Sequence, residues 1–296
     1  MAEGDPFDYT MEQKRENANL ELSLLHTAID EWNHLKPSFI VITGDLVNAF
    51  PSISPELRRK QLDDLKHELS RIDTNIPFVL LSGNHDLGDI PTNESVKQYV
   101  DEFGDDYFSF WYNGVMFIVL NTQLYRNNTL VMDYYEQQDR WLDQQLSIAI
   151  NENYKHIVVL QHIPWFFNNI DEEFNPIFTF PMEVRKRIVK RLYEANVRFI
   201  FAGHYHRNEY GVYGNLSMIT SSAIGWQNDM GMVPNSKSGY RLVSVTNETI
   251  HHEYIEIGRS PSHANGLQMR TSFWIFIITS SLSLLVYLPN LLRFKI

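Results

Sequence analysis

The segment Phe78-Val-Leu-Leu-Ser-Gly-Asn-His-Asp86 decides how this chain is interpreted. Its apolar half, residues 78–82, predicts a strand buried inside a sheet. Its polar half follows at once, after a glycine that permits a sharp turn. Asn84 offers a carbonyl oxygen, His85 a group that exchanges a proton near neutral pH, and Asp86 a carboxylate. The segment therefore places groups capable of chemistry at the end of a strand.

Three further apolar runs end in residues of the same kind. They are residues 39–43 before Asp45, residues 156–161 before His162, and residues 197–202 before His204 and His206. In open α/β sheets, ligands bind outside the carboxyl ends of the strands. A carboxylate, an amide oxygen and imidazoles together suit Mn, Fe or Zn. We therefore expect an α/β fold with a metal site at these strand ends.

Helices alternate with these strands. Apolar periodicity predicts helices at residues 11–36, 54–71, 93–103, 134–150 and 183–195. The pair Asn113-Gly114 predicts a hairpin between strands 107–112 and 115–120. Residues 165–182 lack clear periodicity and are expected to form a loop over a site. Four short strands are predicted at about 209–213, 217–221, 240–246 and 249–255.

Composition excludes several classes of function. A net charge of −11 over 296 residues argues against nucleic acid as a partner, because few basic groups are available to neutralise phosphates. The sequence has no cysteine, which excludes disulfides, thiolate metal sites and cysteine nucleophiles. The acidic N-terminus lacks the apolar core of a signal peptide, so we expect the main domain in the cytoplasm.

The C-terminal region has a different composition. Residues 271–292 carry no charge and are mostly apolar, which is long enough to predict a transmembrane helix. A terminal helix buried in the protein is the alternative. Residues 257–270 are polar and predict a linker after a main domain at 11–256. These features together predict a tail-anchored protein.

The motif order Gly-Asp, Gly-Asn-His-Asp, His and Gly-His-x-His resembles the calcineurin-like metallophosphoesterase superfamily. Within it, the chain most resembles animal serine/threonine-protein phosphatases that carry a calcineurin-like phosphoesterase domain. The segments that carry this resemblance are 81–86, 104–111, 161–164, 203–208 and 221–225. The resemblance implies two sheets packed as a sandwich and flanked by helices, in four α/β/β/α layers.

The resemblance also implies roles for single residues. The ligands of two divalent ions would be Asp45, Asn84, His162, His204 and His206, with the carboxylate shared between the ions. His85 would be the general acid, Asp86 would orient it, and Arg207 would meet a substrate phosphate. The implied reaction is hydrolysis of a phosphate monoester, and the implied substrate is phosphoserine or phosphothreonine in a protein.

One motif of the superfamily is missing. No Asp-x-His or Asp-x-Gln at the end of an apolar strand precedes Asp45, so the chain is expected to lack the first strand and to keep one complete metal site with low activity. Asn48 stands where purple acid phosphatases carry a tyrosine, which argues against that subclass. Two alternatives are a nucleotide or cyclic-nucleotide phosphoesterase and an inactive, membrane-tethered phosphate-binding protein.

Overall fold

The computed structural model describes residues 11–52, 55–152, 154–225, 237–259 and 273–279. Its helices are α1 Met11–Leu35, α2 Pro55–Leu69, α3 Asn84–Leu87, α4 Asn93–Phe103, α5 Thr122–Arg126, α6 Met132–Glu152 and α7 Met182–Glu194. Its strands are β1 Phe39–Ile42, β2 Phe78–Leu80, β3 Phe108–Tyr112, β4 Val115–Leu120, β5 His156–Gln161, β6 Phe199–Ala202, β7 Glu209–Tyr213, β8 Leu216–Thr220, β9 Gly239–Val245, β10 Ile250–Glu256 and β11 Phe273–Ile278.

These strands form two mixed sheets. The first has the order β10-β9-β11-β1-β2, and β1 runs parallel to both of its neighbours. The second has the order β3-β4-β5-β6-β8-β7, and its four inner strands are parallel. In each sheet the predicted site residues follow parallel strands, so their side chains start from the same edge of the sheet.

Side chains that point alternately to the two faces of a strand form separate cores on either side of each sheet. Phe39 and Val41 of β1 belong to the core between the two sheets, whereas Ile40 and Ile42 pack in a second core with α1 and α2. A third core lies between the second sheet and helices α6 and α7. Because successive side chains of a strand point to opposite faces, β1 is apolar on both sides. The predicted α/β/β/α sandwich is confirmed.

The C-terminal apolar run forms a strand instead of the predicted transmembrane helix. Residues Phe273–Ile278 lie as β11 between β1 and β9, and all six are buried. The predicted helix at 271–292 and the predicted domain end at 256 are therefore wrong for this segment. Residues 280–292 and most of the linker predicted at 257–270 lie outside the described residues. Within the described ranges, no helix has the length and apolar character needed to cross a membrane.

Candidate metal centre

Both sheets contribute to one cluster of polar side chains. Asp45 follows β1 and Asn84 follows β2 in the first sheet, while His162 follows β5 and His204 follows β6 in the second. Ligand atoms of Asp45, His162 and His204 lie within 4.8 Å of one another. Because these residues come from four separate strand ends, the complete fold is needed to assemble the cluster.

The distances in this cluster fit one bound ion. Nε2 of His162 lies 3.3 Å from Oδ1 of Asp45 and 3.1 Å from Oδ1 of Asn84. Ligand atoms that each lie about 2.1 Å from one ion are roughly 3 to 3.5 Å apart in octahedral or tetrahedral geometry. The Asn84 amide group donates to Asp89 through Nδ2 at 3.0 Å, which directs its oxygen toward the cluster. Three donors of the predicted types are therefore spaced as ligands of one ion would be, and His204 lies within 4.8 Å of two of them.

Main-chain carbonyl groups fix the two imidazoles of this cluster. Nδ1 of His162 donates to the carbonyl of Thr43 at 2.6 Å, which leaves Nε2 for a metal ion. Nε2 of His204 donates to the carbonyl of Ile177 at 2.9 Å, which leaves Nδ1. Metal-binding histidines commonly donate their second ring N–H to an oxygen in this way. The residues present thus fit a divalent ion.

The ionisation of the cluster also favours a cation. Burial raises the pKa of the Asp45 carboxyl group, but the neighbouring His162 and His85 outweigh burial and hold its pKa well below the ordinary value. Burial lowers the pKa of the His204 imidazole to about 3, and the charge on His162 adds to this effect. Burial also opposes charge on His162, but Asp45 raises the pKa of that imidazole overall. The ionised Asp45 carboxylate and the neutral His204 imidazole are therefore in place as ligands, and His162 would release its Nε2 proton when an ion binds.

Backbone strain is concentrated at this site. Six non-glycine residues in the described ranges have positive φ, and three of them are predicted ligands, namely Asp45 at 52°, His204 at 67° and His206 at 54°. Positive φ is unfavourable for residues with a Cβ atom and persists where the surrounding structure enforces it. The preceding Gly44 has a φ of 94°, and a Cβ there would lie 2.7 Å from Nδ1 of His162. At Asp45 and His204 the strained backbone belongs to residues whose side chains lie in the cluster.

His85 lies at the edge of the cluster and is half-buried. Its backbone N–H donates to Oδ1 of Asp45 at 2.9 Å. Its ring donates from Nδ1 to the carbonyl of Asn48 at 2.6 Å and packs against Phe50 with ring centroids 4.3 Å apart. Because Nδ1 carries the proton of this hydrogen bond, Nε2 is the atom that can exchange a proton with a ligand in the site.

Asp86 does not orient the His85 ring, contrary to the prediction. Its buried carboxylate accepts hydrogen bonds from the backbone N–H groups of Gly83, at 2.8 Å, and Leu46, at 3.1 Å. Asp86 therefore joins the turn after β2 to the turn after β1. Burial raises the pKa of its carboxyl group to about 6. The sequence shows that Asp86 is adjacent to His85, but it does not show which way the carboxylate points.

Two other predicted site residues lie outside the cluster. His206 is buried but is not part of the Asp45–His162–His204 group. The guanidinium carbon of Arg207 lies 5.1 Å from the centre of the Tyr205 ring, and Nη1 donates to the Tyr205 hydroxyl at 3.3 Å. A metal-ligand role for His206 and a phosphate-binding role for Arg207 both stay predictions.

Helix α2 contributes two supporting residues that sequence analysis missed. Nη1 of the buried Arg58 donates to the carbonyls of Ala49 and His85, at 3.1 Å each. Oε1 of Gln61 accepts from the backbone N–H of Ala49 at 2.8 Å. These contacts hold the turn whose Asn48 carbonyl binds the His85 ring. No sequence signal distinguishes Arg58 from its exposed neighbours on a polar helix.

The aromatic loop at 165–182 lies beside the cluster, as expected for a loop over a site. The Ile177 carbonyl holds His204, and the ring of Phe178 lies 5.7 Å from the same imidazole. The buried Arg185 of α7 anchors the loop by donating to the carbonyls of Ile170, at 3.0 Å, and Phe180, at 3.1 Å. The loop therefore positions one imidazole directly through its main chain.

Sequence comparisons agree with this geometry. The family model described as calcineurin-like phosphoesterase matches residues 21–208. The serine/threonine-protein phosphatase CPPED1 of Homo sapiens is 44% identical over 239 residues, which are 80% of this chain and 74% of the relative. The protein of the same name from Danio rerio is 41% identical over 236 residues, which are 79% of this chain and 74% of the relative.

Comparison with solved structures supports the fold alone. GAP50, the anchor in the inner membrane complex of Plasmodium, has a TM-score of 0.57 at 14% identity, with 81% of each chain covered. The purple acid phosphatase PPD1 of yellow lupin has a TM-score of 0.56 at 15% identity, over 86% of this chain and 49% of that one. On the family match and the CPPED1 relatives, this chain belongs to the calcineurin-like phosphoesterase family.

Proposed function

We propose that this chain hydrolyses phosphate monoesters with the help of a divalent metal ion, and that its substrates are phosphoserine or phosphothreonine residues of proteins. The observation that carries the proposal is the cluster of Asp45, His162 and His204 with His85 at its edge. The name of the CPPED1 relatives supports the choice of a phosphoprotein substrate.

Metal binding and proton transfer are assigned to different residues. Asp45, Asn84, His162 and His204 would hold the ion. A bound divalent ion supplies positive charge for phosphoryl oxygens and acidifies a water molecule at neutral pH. His85 would donate the proton from Nε2 to the leaving alkoxide, while Asn48 holds its Nδ1. Phe50 would keep the His85 ring in one plane by packing against it.

We also propose that the chain has one complete metal site instead of two. A second ion would have only His206 and the shared carboxylate of Asp45 among the predicted ligands. Strand β11 runs parallel to β1 and ends beside the cluster, but the residue that follows it is Thr279. A threonine hydroxyl is a weaker ligand for Mn, Fe or Zn than the carboxylate or imidazole expected at such a strand end.

A phosphate-release assay tests this function. The purified chain is incubated with Mn²⁺ or Zn²⁺ and with phosphoserine peptides, phosphothreonine peptides, mononucleotides or cyclic nucleotides. We expect metal-dependent release from the phosphopeptides that chelation abolishes and that Asp45→Asn reduces by more than tenfold. Faster hydrolysis of the nucleotides would show that nucleotides, and not phosphoproteins, are the substrates. Binding of metal without any hydrolysis would contradict the enzymatic proposal and favour a phosphate-binding protein.

A further inference from the structure

Thr279 connects the end of β11 to the segment that follows β8 of the second sheet. It follows β11, it is completely buried, and its backbone forms an isolated bridge with Ala223, three residues after the end of β8. Its carbonyl accepts from the backbone N–H of Ile224 at 2.9 Å. Its hydroxyl donates to the carbonyl of Ser221 at 3.1 Å. The end of β11 is thus held on the second sheet as well as on the first.

Thr43 connects Thr279 to a metal ligand. The Thr43 hydroxyl lies 3.2 Å from the Thr279 hydroxyl, and its backbone N–H donates to the carbonyl of Ile278 at 2.7 Å. The carbonyl of the same Thr43 accepts from Nδ1 of His162 at 2.6 Å. The residue whose carbonyl fixes the His162 ring is therefore held in place by the end of β11.

The same two threonines border the second imidazole. A Cβ on Gly203 would lie 2.7 Å from the hydroxyl oxygens of both Thr279 and Thr43, so the glycine backbone packs directly against the pair. The Gly203 N–H donates to the His162 carbonyl at 3.0 Å, and the next residue is His204. One pair of threonines thus supports the main chain at both histidines.

We propose that the Thr279 hydroxyl is a positioning group for the metal centre, an inference that rests on the proposed function. It holds Thr43 and Gly203 so that Nε2 of His162 and Nδ1 of His204 converge on one ion. The two threonine hydroxyls have two protons for three close contacts, with the carbonyls of Ile278 and Ser221 and with each other. Removing the Thr279 hydroxyl therefore leaves the Thr43 hydroxyl with the carbonyl of Ile278 alone among these three contacts.

Thr279→Val tests the inference because valine keeps the shape and removes only the hydroxyl. Calorimetric titration with Mn²⁺ is expected to show a Kd raised by about tenfold, the lower end of the effect of losing a direct partner of a metal ligand, because Thr279 acts through Thr43. The absorption spectrum of Co²⁺ bound in the site is expected to change as well. Thr279→Ser restores the hydroxyl and should return both the Kd and the spectrum to wild-type values.

Thr220→Val is the matched control. Thr220 is also buried, it lies next to Ser221, and its hydroxyl has no hydrogen-bond partner among the described residues. This variant should match the wild type in metal affinity. The melting temperatures of the metal-free variants separate packing effects from metal positioning. If Thr279→Val does not fold, Thr43→Val is titrated in its place with the same expectation.

The possible results separate this inference from the proposed function. If Thr279→Val binds Mn²⁺ as tightly as Thr220→Val, the Thr279 hydroxyl has no positioning role. The proposed metal centre is not affected by that result. A Thr279→Ser chain as weak as Thr279→Val also overturns the positioning role, because lost packing would then explain both. A wild-type chain that binds no ion overturns the metal centre and this inference together.

Discussion

The backbone N–H of His85 donates to the carboxylate of Asp45 at 2.9 Å. The residue proposed to transfer the proton is thus tied by its main chain to a proposed metal ligand. Its imidazole makes a separate contact, with the carbonyl of Asn48. Proton transfer and metal binding therefore use different atoms of the same residue, and mutation can separate them.

Replacing His85 with alanine should slow catalysis strongly and spare metal binding. We expect turnover of p-nitrophenyl phosphate to fall by about 10²- to 10⁴-fold, the usual contribution of a general acid. Metal affinity should stay unchanged, because alanine keeps the backbone N–H that contacts Asp45. His67→Ala, at a side chain that is 57% exposed, is the control. Undiminished turnover in His85→Ala would remove this residue from the mechanism.

The wild-type chain should bind one divalent ion tightly. Calorimetric titration of the metal-free protein is expected to give a stoichiometry near one, with His204→Ala weakening that single site. The reason is that Asp45, His162 and His204 are grouped in the described structure, whereas His206 lies outside the group. Two sites of equal affinity would contradict the proposal that one site is complete.

Arg58→Met should reduce catalysis more than metal binding. Arg58 donates to the carbonyls of Ala49 and His85, and so holds the turn that orients the proposed general acid. We expect kcat to fall by about tenfold, which corresponds to about 1.4 kcal/mol. The exposed neighbour Arg59→Met should behave like the wild type. Equal kcat values for the two variants would show that Arg58 serves packing only.

Phe276→Ala should destabilise the whole domain. Phe276 of β11 is fully buried and its ring lies 4.9 Å from that of Tyr240. Removing a buried phenylalanine side chain costs about 3 to 5 kcal/mol of unfolding free energy. Phe174→Ala, at a residue that is 42% exposed, should change it by less than about 0.5 kcal/mol. Urea unfolding measures the unfolding free energy of both variants. An unfolding free energy of Phe276→Ala equal to that of the wild type would mean that β11 is not part of the folded core.

The sequence predicted the site better than it predicted the C-terminal region. Four apolar runs are each followed by a residue of a metal-binding type, namely Asp45, Asn84, His162 and His204. The runs predict the parallel strands, and the residues that follow them predict the edge of the sheets where the site lies. The run Phe273–Ile278 carries no such signal. A strand buried on both faces is as uniformly apolar as a membrane helix, and periodicity cannot tell them apart.

Side-chain direction explains the remaining differences. Asp86 lies next to His85 in the chain, yet it points toward the N–H groups of Gly83 and Leu46. Arg58 looks like any other basic residue of a polar helix, and its burial depends on the turn that packs over α2. Such contacts depend on tertiary packing, which local sequence patterns do not encode.

The place of β11 in the first sheet has a consequence for biosynthesis. Phe39 pairs with Ile275 and Ile42 with Ile278, so strands far apart in sequence must meet before β1 has both of its neighbours. Contacts of such long range slow folding, since a long loop must close before any pairing energy is gained. On the ribosome, β1 and β2 emerge before β11, so β1 cannot pair with β11 until the chain has been made at least as far as residue 278. During that interval one edge of β1 is open to chaperones and to neighbouring nascent chains.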